Sequence, residues 1–396
     1  MPGDTFQQRL FAPAFHRFLD RIDTGLVRGG IEARLPDGTH RLLGGRKPGP
    51  VPLVTIHRWR SLVRLATGGS VGWYEAWADG DWSSPDPVPL FDLFMRNRVP
   101  LANVARAGGI PKLLLRGWHA LRRNDRKGSR RNIADHYDLG NDFYREWLDP
   151  SLTYSSGIYG LGDTLAQAQR RKLTAILDRT GTAPGDTILE IGCGWGSFAA
   201  TASAAGCSVH GLTLSTEQKA EVDARGLPGV TVSLTDYRDV IGTYDAVASI
   251  EMVEAVGQAY WPAYCDTLAR VLKPGGRAAI QYISIADDVF ERYASSVDFI
   301  QRYVFPGGML LSDSRFRALC QARGLAWTDH HAFGLDYAQT LRHWRERFDN
   351  ADKAGRLPER LDARFRDLWR YYLMYCEGGF RGGGIDVAQV TLVKQR

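Results

Sequence analysis

Three glycines, Gly192, Gly194 and Gly196, stand in LEIGCGWGSF between an apolar, β-prone run and a helix-like one. Glycine at a strand-to-helix turn permits tight backbone geometry and lets a ligand approach the backbone N–H groups. The spacing is G-x-G-x-G, not the G-x-G-x-x-G of dinucleotide folds. Thr213 and Leu214 also occupy the region where such a fold wants an acid for the ribose hydroxyls. A second cluster, SIEMVEAVG, places Glu251 and Glu254 at a strand end, the side of an open α/β sheet where ligands sit. Upstream lie His136, Tyr137, Asp138, Tyr154, Ser155 and Ser156, and further along come the aromatic stretch VDFIQRYVFPGG and Tyr337, which follows a predicted strand. Each has a plainer reading too. The loop could be an empty turn, Glu254 a helix cap, Tyr337 core packing, Gln281 a strand residue, and Glu251 either a substrate contact or surface.

The elements that must position these residues follow a helix–strand rhythm from about residue 162. TILEIG, SVHGLTL, VTVSLTD, YDAVASI and RAAIQYISI read as strands, and YWPAYCDTLARVLKPGG supplies a helix between the last two. Ser215 is expected to cap the helix that contains Gln218. Alternation of this kind implies a doubly wound parallel sheet. Beyond residue 286 the chain reads as mostly helical, closing on the β-like run DVAQVTLVK. The first hundred residues, punctuated by Gly and Pro and rich in tryptophan, read as a small α/β domain.

The chain has 396 residues, which at roughly 150 per domain suggests two or three domains. Hydrophobic residues make up 44%, enough for a sizeable core. Five scattered cysteines without a C-x-x-C pair argue against a disulfide framework and a zinc site, and fit a reducing cytosol. No run approaches the roughly 20 apolar residues of a membrane span, and the N-terminus does not read as a signal peptide. The net charge is +6, and residues 112–131 carry eight basic side chains against one acid. That segment reads as a solvated linker, a patch for anionic lipid head groups, or a nucleic-acid arm. No nucleic-acid recognition motif accompanies it.

Glu190, immediately before the glycine loop, matches the usual arrangement of S-adenosylmethionine (SAM) enzymes. HYDLGNDFY, LTYSS, LEIGCGWG, GLTLS-x-x-Q, DYRD, E-x-x-E-A-V-G, YVFPGG and DYAQTL then occur in a recognisable order. Through these motifs, from about residue 132 to 386, the chain resembles the cyclopropane-fatty-acyl-phospholipid synthases, which include the mycolic acid cyclopropane synthases. SVGWYEAWADGDW, with Glu75, Asp79 and Trp82, resembles the family's N-terminal lipid-associated domain more loosely. The resemblance implies a Rossmann-like class I SAM-dependent methyltransferase, an α/β fold with helical substrate-covering insertions behind a small N-terminal α/β domain. The expected division is residues 1–110 lipid-associated, 111–131 basic linker and 132–396 catalytic.

Carried over position by position, the resemblance puts Gly192 and Gly194 at the methionine part of SAM, with Thr213, Leu214 and Gln218 around the adenosine. Tyr154 and Ser155 fall near its carboxylate, and Asp236 and Tyr237 flank adenine. Tyr137, Phe299, Tyr303 and Phe305 are candidates for an aromatic wall facing an acyl chain and a carbocation. The resemblance further implies a bicarbonate ion as base, held by Glu254, Ile283, Tyr337, a backbone group at position 156 and the side chain at 281. Ser156 stands where the family has cysteine, and Gln281 where it has histidine; glutamine offers only a neutral amide. No metal is expected.

The expected reaction is methyl(ene) transfer from SAM to the double bond of an unsaturated phospholipid acyl chain, giving a cyclopropane. Gln281 leaves room for a methyl- or methylene-branched product. A small-molecule N-methyltransferase and a SAM- or lipid-binding protein without turnover are the competing readings. The expected partners are unsaturated phospholipid at the inner membrane face, reached from the cytoplasm, and a second copy in a homodimer; nucleic acid is not expected.

Overall fold

In the computed structural model, residues 4–103 and 139–395 are described. His136, Tyr137, Asp138 and the basic segment 112–131 lie outside them, as do the expected boundaries near 110 and 131. The chain divides into two compact units, and the division is discontinuous. One comprises Met1–Leu121, Asp288–Val304 and Arg360–Ile385, the other Arg122–Asp287, Phe305–Glu359 and Asp386–Arg396. Residues 288–304 and 360–385, drawn from sequence as catalytic, therefore fold with the N-terminal segment.

In the first unit, β1 (Gly30–Arg34), β2 (His40–Gly44), β3 (Leu53–Ile56) and β4 (Trp82–Ser83) form a sheet in the order β2-β1-β3-β4. The helix Arg60–Ala78 breaks at Gly69, whose φ of 58° no helix shares. Asp81 is fully buried and takes the guanidinium groups of Arg58 (2.9 Å) and Arg60 (2.7 Å). Trp82 stacks on Trp73 at 4.3 Å and donates its indole N–H to the Trp73 carbonyl. The helix Ala363–Arg381 closes against Val88–Arg96 because Gly378 has no side chain there. A Cβ on Gly378 would meet the Phe91 Cβ at 2.4 Å.

In the second unit a seven-stranded sheet runs β10-β11-β9-β8-β5-β6-β7. Its strands are β5 (Thr187–Ile191), β6 (Ser208–Thr213), β7 (Val230–Leu234), β8 (Tyr244–Ile250), β9 (Leu272–Ile285), β10 (Leu325–Ala332) and β11 (Ile385–Lys394). The five from β5 to β9 are parallel, as their apolar runs and intervening helices imply, whereas β10 pairs antiparallel with β11. β10 is the strand expected just before Tyr337, and it lies on an edge of the sheet. Its burial is confined to one end, so LAWTDHHA lacks the apolar pattern of a core strand. Ile188, Val209, Ala246 and Ala279 pack beneath the helices Leu165–Thr180 and Ser197–Ala204 through Ile176 and Phe198. Thr164 and Gln167 form a capping box that fixes the start of Leu165–Thr180. Among the described residues no helix is long and apolar enough to cross a membrane.

Candidate active site

The parallel strands end on one edge, and the predicted cofactor residues of the loop and of β6 and β7 gather there. β5 ends at Ile191 and the chain turns through Gly192 (φ 83°), Gly194 (φ 51°) and Gly196 (φ 81°) into the helix Ser197–Ala204. A Cβ on Gly192 would lie 2.9 Å from the Met252 Cγ, and one on Gly196 2.9 Å from a Val222 methyl. At Gly194 a Cβ would meet nothing within 4 Å, so the loop's middle faces open space. Below it, burial pushes the Glu190 carboxyl well above the carboxylate range, against the pull of Lys172. The Glu190 Oε2 is buried without a hydrogen-bond partner.

At the end of β6, the Thr213 hydroxyl donates to the Gln218 Oε1 (2.7 Å) and accepts the Ser215 N–H (3.1 Å). Ser215 caps the helix Thr216–Ala224 through the Gln218 N–H, as the sequence implied, and Leu214 is half-buried beside it. After β7, Asp236 accepts the backbone N–H (3.0 Å) and the guanidinium (2.8 and 2.6 Å) of Arg238. Arg238 in turn lies over the rings of Tyr237 (5.5 Å) and Tyr260 (5.2 Å). Burial raises the Tyr237 hydroxyl to about 12. Tyr154 is half-buried among Tyr144, Trp147 and Trp344, with ring centroids 5.4–5.7 Å away. Ser155 is held from below, its hydroxyl accepting from the Lys172 Nζ at 2.6 Å.

Lys172 is a feature the sequence did not signal. It sits on the helix Leu165–Thr180 with no exposed surface. Burial pulls its ammonium down to about 8, opposed by the charges of Glu251, Asp149 and Glu190. A lysine two helical turns from a capping box reads in sequence as a solvated side chain, and only the packed helix reveals otherwise.

Past β8, two carboxylates divide the surrounding donors. The Glu251 Oε1 accepts the Ser156 N–H (2.8 Å) and the Gln281 amide Nε2 (2.7 Å), and its Oε2 accepts the Tyr337 hydroxyl (2.6 Å). The Glu254 Oε1 accepts the Ile283 N–H, while its Oε2 is buried without a partner. Burial, reinforced by the neighbouring Glu251, raises the Glu254 carboxyl to about 8. Burial raises Glu251 as well, but its three hydrogen bonds and Lys172 all oppose that. The two environments thus differ in the direction that separates an acid from a base. Gln281 is further fixed by the Gln389 Nε2, which donates to its Oε1 at 3.0 Å, while its own Nε2 also reaches the Ser156 carbonyl at 3.2 Å.

Ser156, Gln281, Ile283, Glu254 and Tyr337 therefore do come together, around a residue the sequence left ambiguous. They do not fit the expected bicarbonate. The Ser156 N–H, the Gln281 amide and the Tyr337 hydroxyl already serve the Glu251 carboxylate, and the Ile283 N–H serves Glu254. A further anion would face two carboxyl groups, that of Glu254 buried, with its donors already engaged.

The expected aromatic wall divides between the units. Phe299 is fully buried in the first, against Tyr74 (4.8 Å) and Tyr371 (4.8 Å). Tyr303, in the same cluster, donates its hydroxyl to Glu75 at 2.8 Å. Phe305 belongs to the second unit, where its carbonyl accepts the Gly308 N–H. Among the described residues no cluster of His, Cys, Asp and Glu has the arrangement of a metal site.

A family model described as mycolic acid cyclopropane synthetase matches residues 124–390. The chain belongs to that family. It is 37% identical, over 87% of its length and 84% of the relative's, to the tuberculostearic acid methyltransferase UfaA1 of Mycobacterium tuberculosis. It is 33% identical, over 83% of its length and 84% of the relative's, to the cyclopropane-fatty-acyl-phospholipid synthase of Escherichia coli. The solved structure of the cyclopropane synthase MmaA2 from Mycobacterium tuberculosis superposes with a TM-score of 0.63 at 29% identity. It covers 67% of this chain and 98% of that one. A cyclopropane synthase with an equal score, CmaA1, was solved with S-adenosylhomocysteine bound. The family methylates lipid acyl chains, and the chain is a SAM-dependent methyltransferase of the class I fold with SAM as co-substrate.

The residues present suit that ligand: the loop opens at Gly194, and the Glu190 Oε2 below it lacks a partner. Gly194→Ala is expected to cost about 1 kcal/mol for its left-handed backbone, because no neighbour obstructs the methyl group. SAM affinity measured by calorimetry should nonetheless fall about tenfold or more. Unchanged affinity would mean that SAM does not approach the loop there.

Proposed function

We propose that this enzyme methylates the double bond of an unsaturated acyl chain carried by a membrane phospholipid, and that ring closure to a cyclopropane completes the reaction. One observation carries the reading. Two carboxyl groups, Glu251 and Glu254, lie past the end of β8 beside the glycine loop, with one Glu254 oxygen buried and unpartnered. Alkene methylation needs this: no residue is alkylated, and one proton must be removed after methyl transfer.

SAM supplies a methyl group on a positively charged sulfur, so the protein need not activate it. Gly192 and Gly194 would receive its methionine part, with Tyr154 and Ser155 near the carboxylate. Thr213, Leu214 and Gln218 would surround the adenosine, and Asp236 and Tyr237 the adenine. Lys172 fixes the Ser155 hydroxyl from below and balances the buried acids. Aromatic side chains, Phe305 and Tyr137 among them, would exclude water from the developing cation. Phospholipid access would come from a membrane surface on the cytoplasmic side, drawn by the basic segment 112–131. A homodimer remains the expected assembly.

A second reading, a methyl- or methylene-branched product, is favoured by Gln281. Its amide is tied between Glu251 and Gln389 and has no imidazole to move a proton. The relative named as a tuberculostearic acid methyltransferase supports considering it. Incubating the protein with SAM and vesicles of a monounsaturated phospholipid, then analysing the released acyl chains by mass spectrometry, tests both. The expected product is heavier by one CH2 and resists hydrogenation as a cyclopropane. A product that takes up hydrogen identifies the methylene branch, and soluble amines methylated in preference to lipid would overturn the proposal.

A further inference from the structure

The groups that a bicarbonate ion would need are arranged around a side chain instead. Glu251 receives the Ser156 N–H at 2.8 Å, the Gln281 amide at 2.7 Å and the Tyr337 hydroxyl at 2.6 Å. These are three of the five positions that the family resemblance assigns to the anion, including both at which this chain departs from it. A second, independent observation lies in the backbone. Glu251 has a φ of 51°, in the left-handed region that residues with a Cβ rarely adopt. That conformation is held by its N–H, which donates to the Gln281 carbonyl at 2.8 Å. Strain of this kind persists only where the surroundings over-determine it, and it accumulates at functional sites. Here it turns a carboxylate toward the donors that converge from the segment before the helix Leu165–Thr180, from β9 and from the helix Gly334–Lys353.

We propose that Glu251 is the resident anion of this site, standing in place of bicarbonate and accepting the proton released after methyl transfer. The inference rests on the proposed alkene methylation. In that reaction the π pair of the acyl double bond forms the new C–C bond to the methyl group, and the C–S pair stays on sulfur. The neighbouring acyl carbon is left positively charged. The Glu251 carboxylate then takes one proton from the new methyl group, whose C–H pair closes the bond to the cationic carbon. Glu251 becomes a neutral carboxylic acid and afterwards returns its proton to water. No external anion enters the balance. Gln281 fits this arrangement better than histidine would, since its Nε2 donates to Glu251 while its Oε1 is anchored by Gln389. A neutral amide in that place holds the carboxylate and does not compete for its proton.

Binding of 13C-labelled bicarbonate to the full chain tests the replacement without any lipid present. The native protein is expected to show no saturable binding. Glu251→Gly, which suits the left-handed backbone and frees the three donors, should gain a bicarbonate site. Equal binding by both forms would overturn the proposal. In turnover with SAM and unsaturated phospholipid vesicles, the native rate should be the same in CO2-depleted and bicarbonate-supplemented buffer. Tenfold stimulation by bicarbonate would also overturn it. Glu251→Gln should lower turnover at least a hundredfold while SAM affinity stays within threefold, with partial recovery in Glu251→Asp. Retained turnover in Glu251→Gln would count against Glu251 as the proton acceptor. If the native protein methylates no unsaturated lipid, the proposed function fails, while the binding comparison still decides what occupies the anion's place.

Discussion

Replacing Glu254 by glutamine is expected to make the protein more stable in mild alkali and much less active. The folded carboxyl keeps its proton up to about pH 8, whereas the unfolded chain releases it near 4.5. Between those values the folded state binds the additional proton, so this group's contribution to stability is complete below about pH 4.5. It declines as pH rises and is lost through about pH 8. Ionising a fully buried carboxyl beside Glu251 is the physical source of the loss. Glutamine fills the same volume and has no such transition. Its advantage over the native protein should be negligible at pH 5 and grow toward pH 9, on the order of a few kcal/mol. Melting temperatures recorded across that range should separate by several degrees at the alkaline end. Activity should fall about a hundredfold, the scale of losing one positioned acid or base. Parallel melting curves for the two proteins at all pH values would show that Glu254 does not titrate in this window.

Lys172→Met is expected to move the pH dependence of turnover, not only its height. Methionine matches the length and burial of the lysine stem but lacks the charge that faces Glu251, Asp149 and Glu190. Without that charge Glu251 ionises less readily, so the acid limb of the pH–rate profile should shift upward by about one unit. Turnover at pH 7 should fall about tenfold or more, and SAM affinity should weaken because Ser155 loses its donor. The stability effect has the opposite sense to that of Glu254. The folded ammonium ionises near 8 and the unfolded one near 10.5, so the native protein gains stability as pH rises between those values. Lys172→Met should lack that gain. A lowered melting temperature with an unmoved pH–rate profile would reduce Lys172 to a packing role.

The parallel core was legible because its signals are local. TILEIG and YDAVASI are continuous apolar runs bounded by polar turns, and they became β5 and β8. The glycine loop was equally plain, since its position between strand and helix is set by neighbours in sequence. β10 was expected only as a strand before Tyr337; its place in the sheet was not legible, because an edge strand exposed along most of its length has no apolar pattern to display. Lys172 and Gln389 escaped for another reason. Their roles depend on burial, and on partners 17 and 108 residues away in sequence. Glu251 was visible as a candidate, but ranking it above surface required knowing that Ser156, Gln281 and Tyr337 all point to one carboxylate. Phe299 and Tyr303 were grouped with Phe305 by proximity along the chain, yet the boundary between the compact units falls at residues 304 and 305.

The discontinuous division of the chain also constrains the order in which the protein can be made. The N-terminal sheet leaves the ribosome before the catalytic sheet, but Gly378 and the helix around it, which close against Val88–Arg96, are synthesised after ten of the eleven strands among the described residues. The first unit is therefore still incomplete, without the helix that packs on Phe91 and Val88, while the whole parallel sheet from β5 to β9 and then β10 are translated. During that interval the nascent chain presents an unfinished apolar face, the kind of surface that recruits chaperones or aggregates.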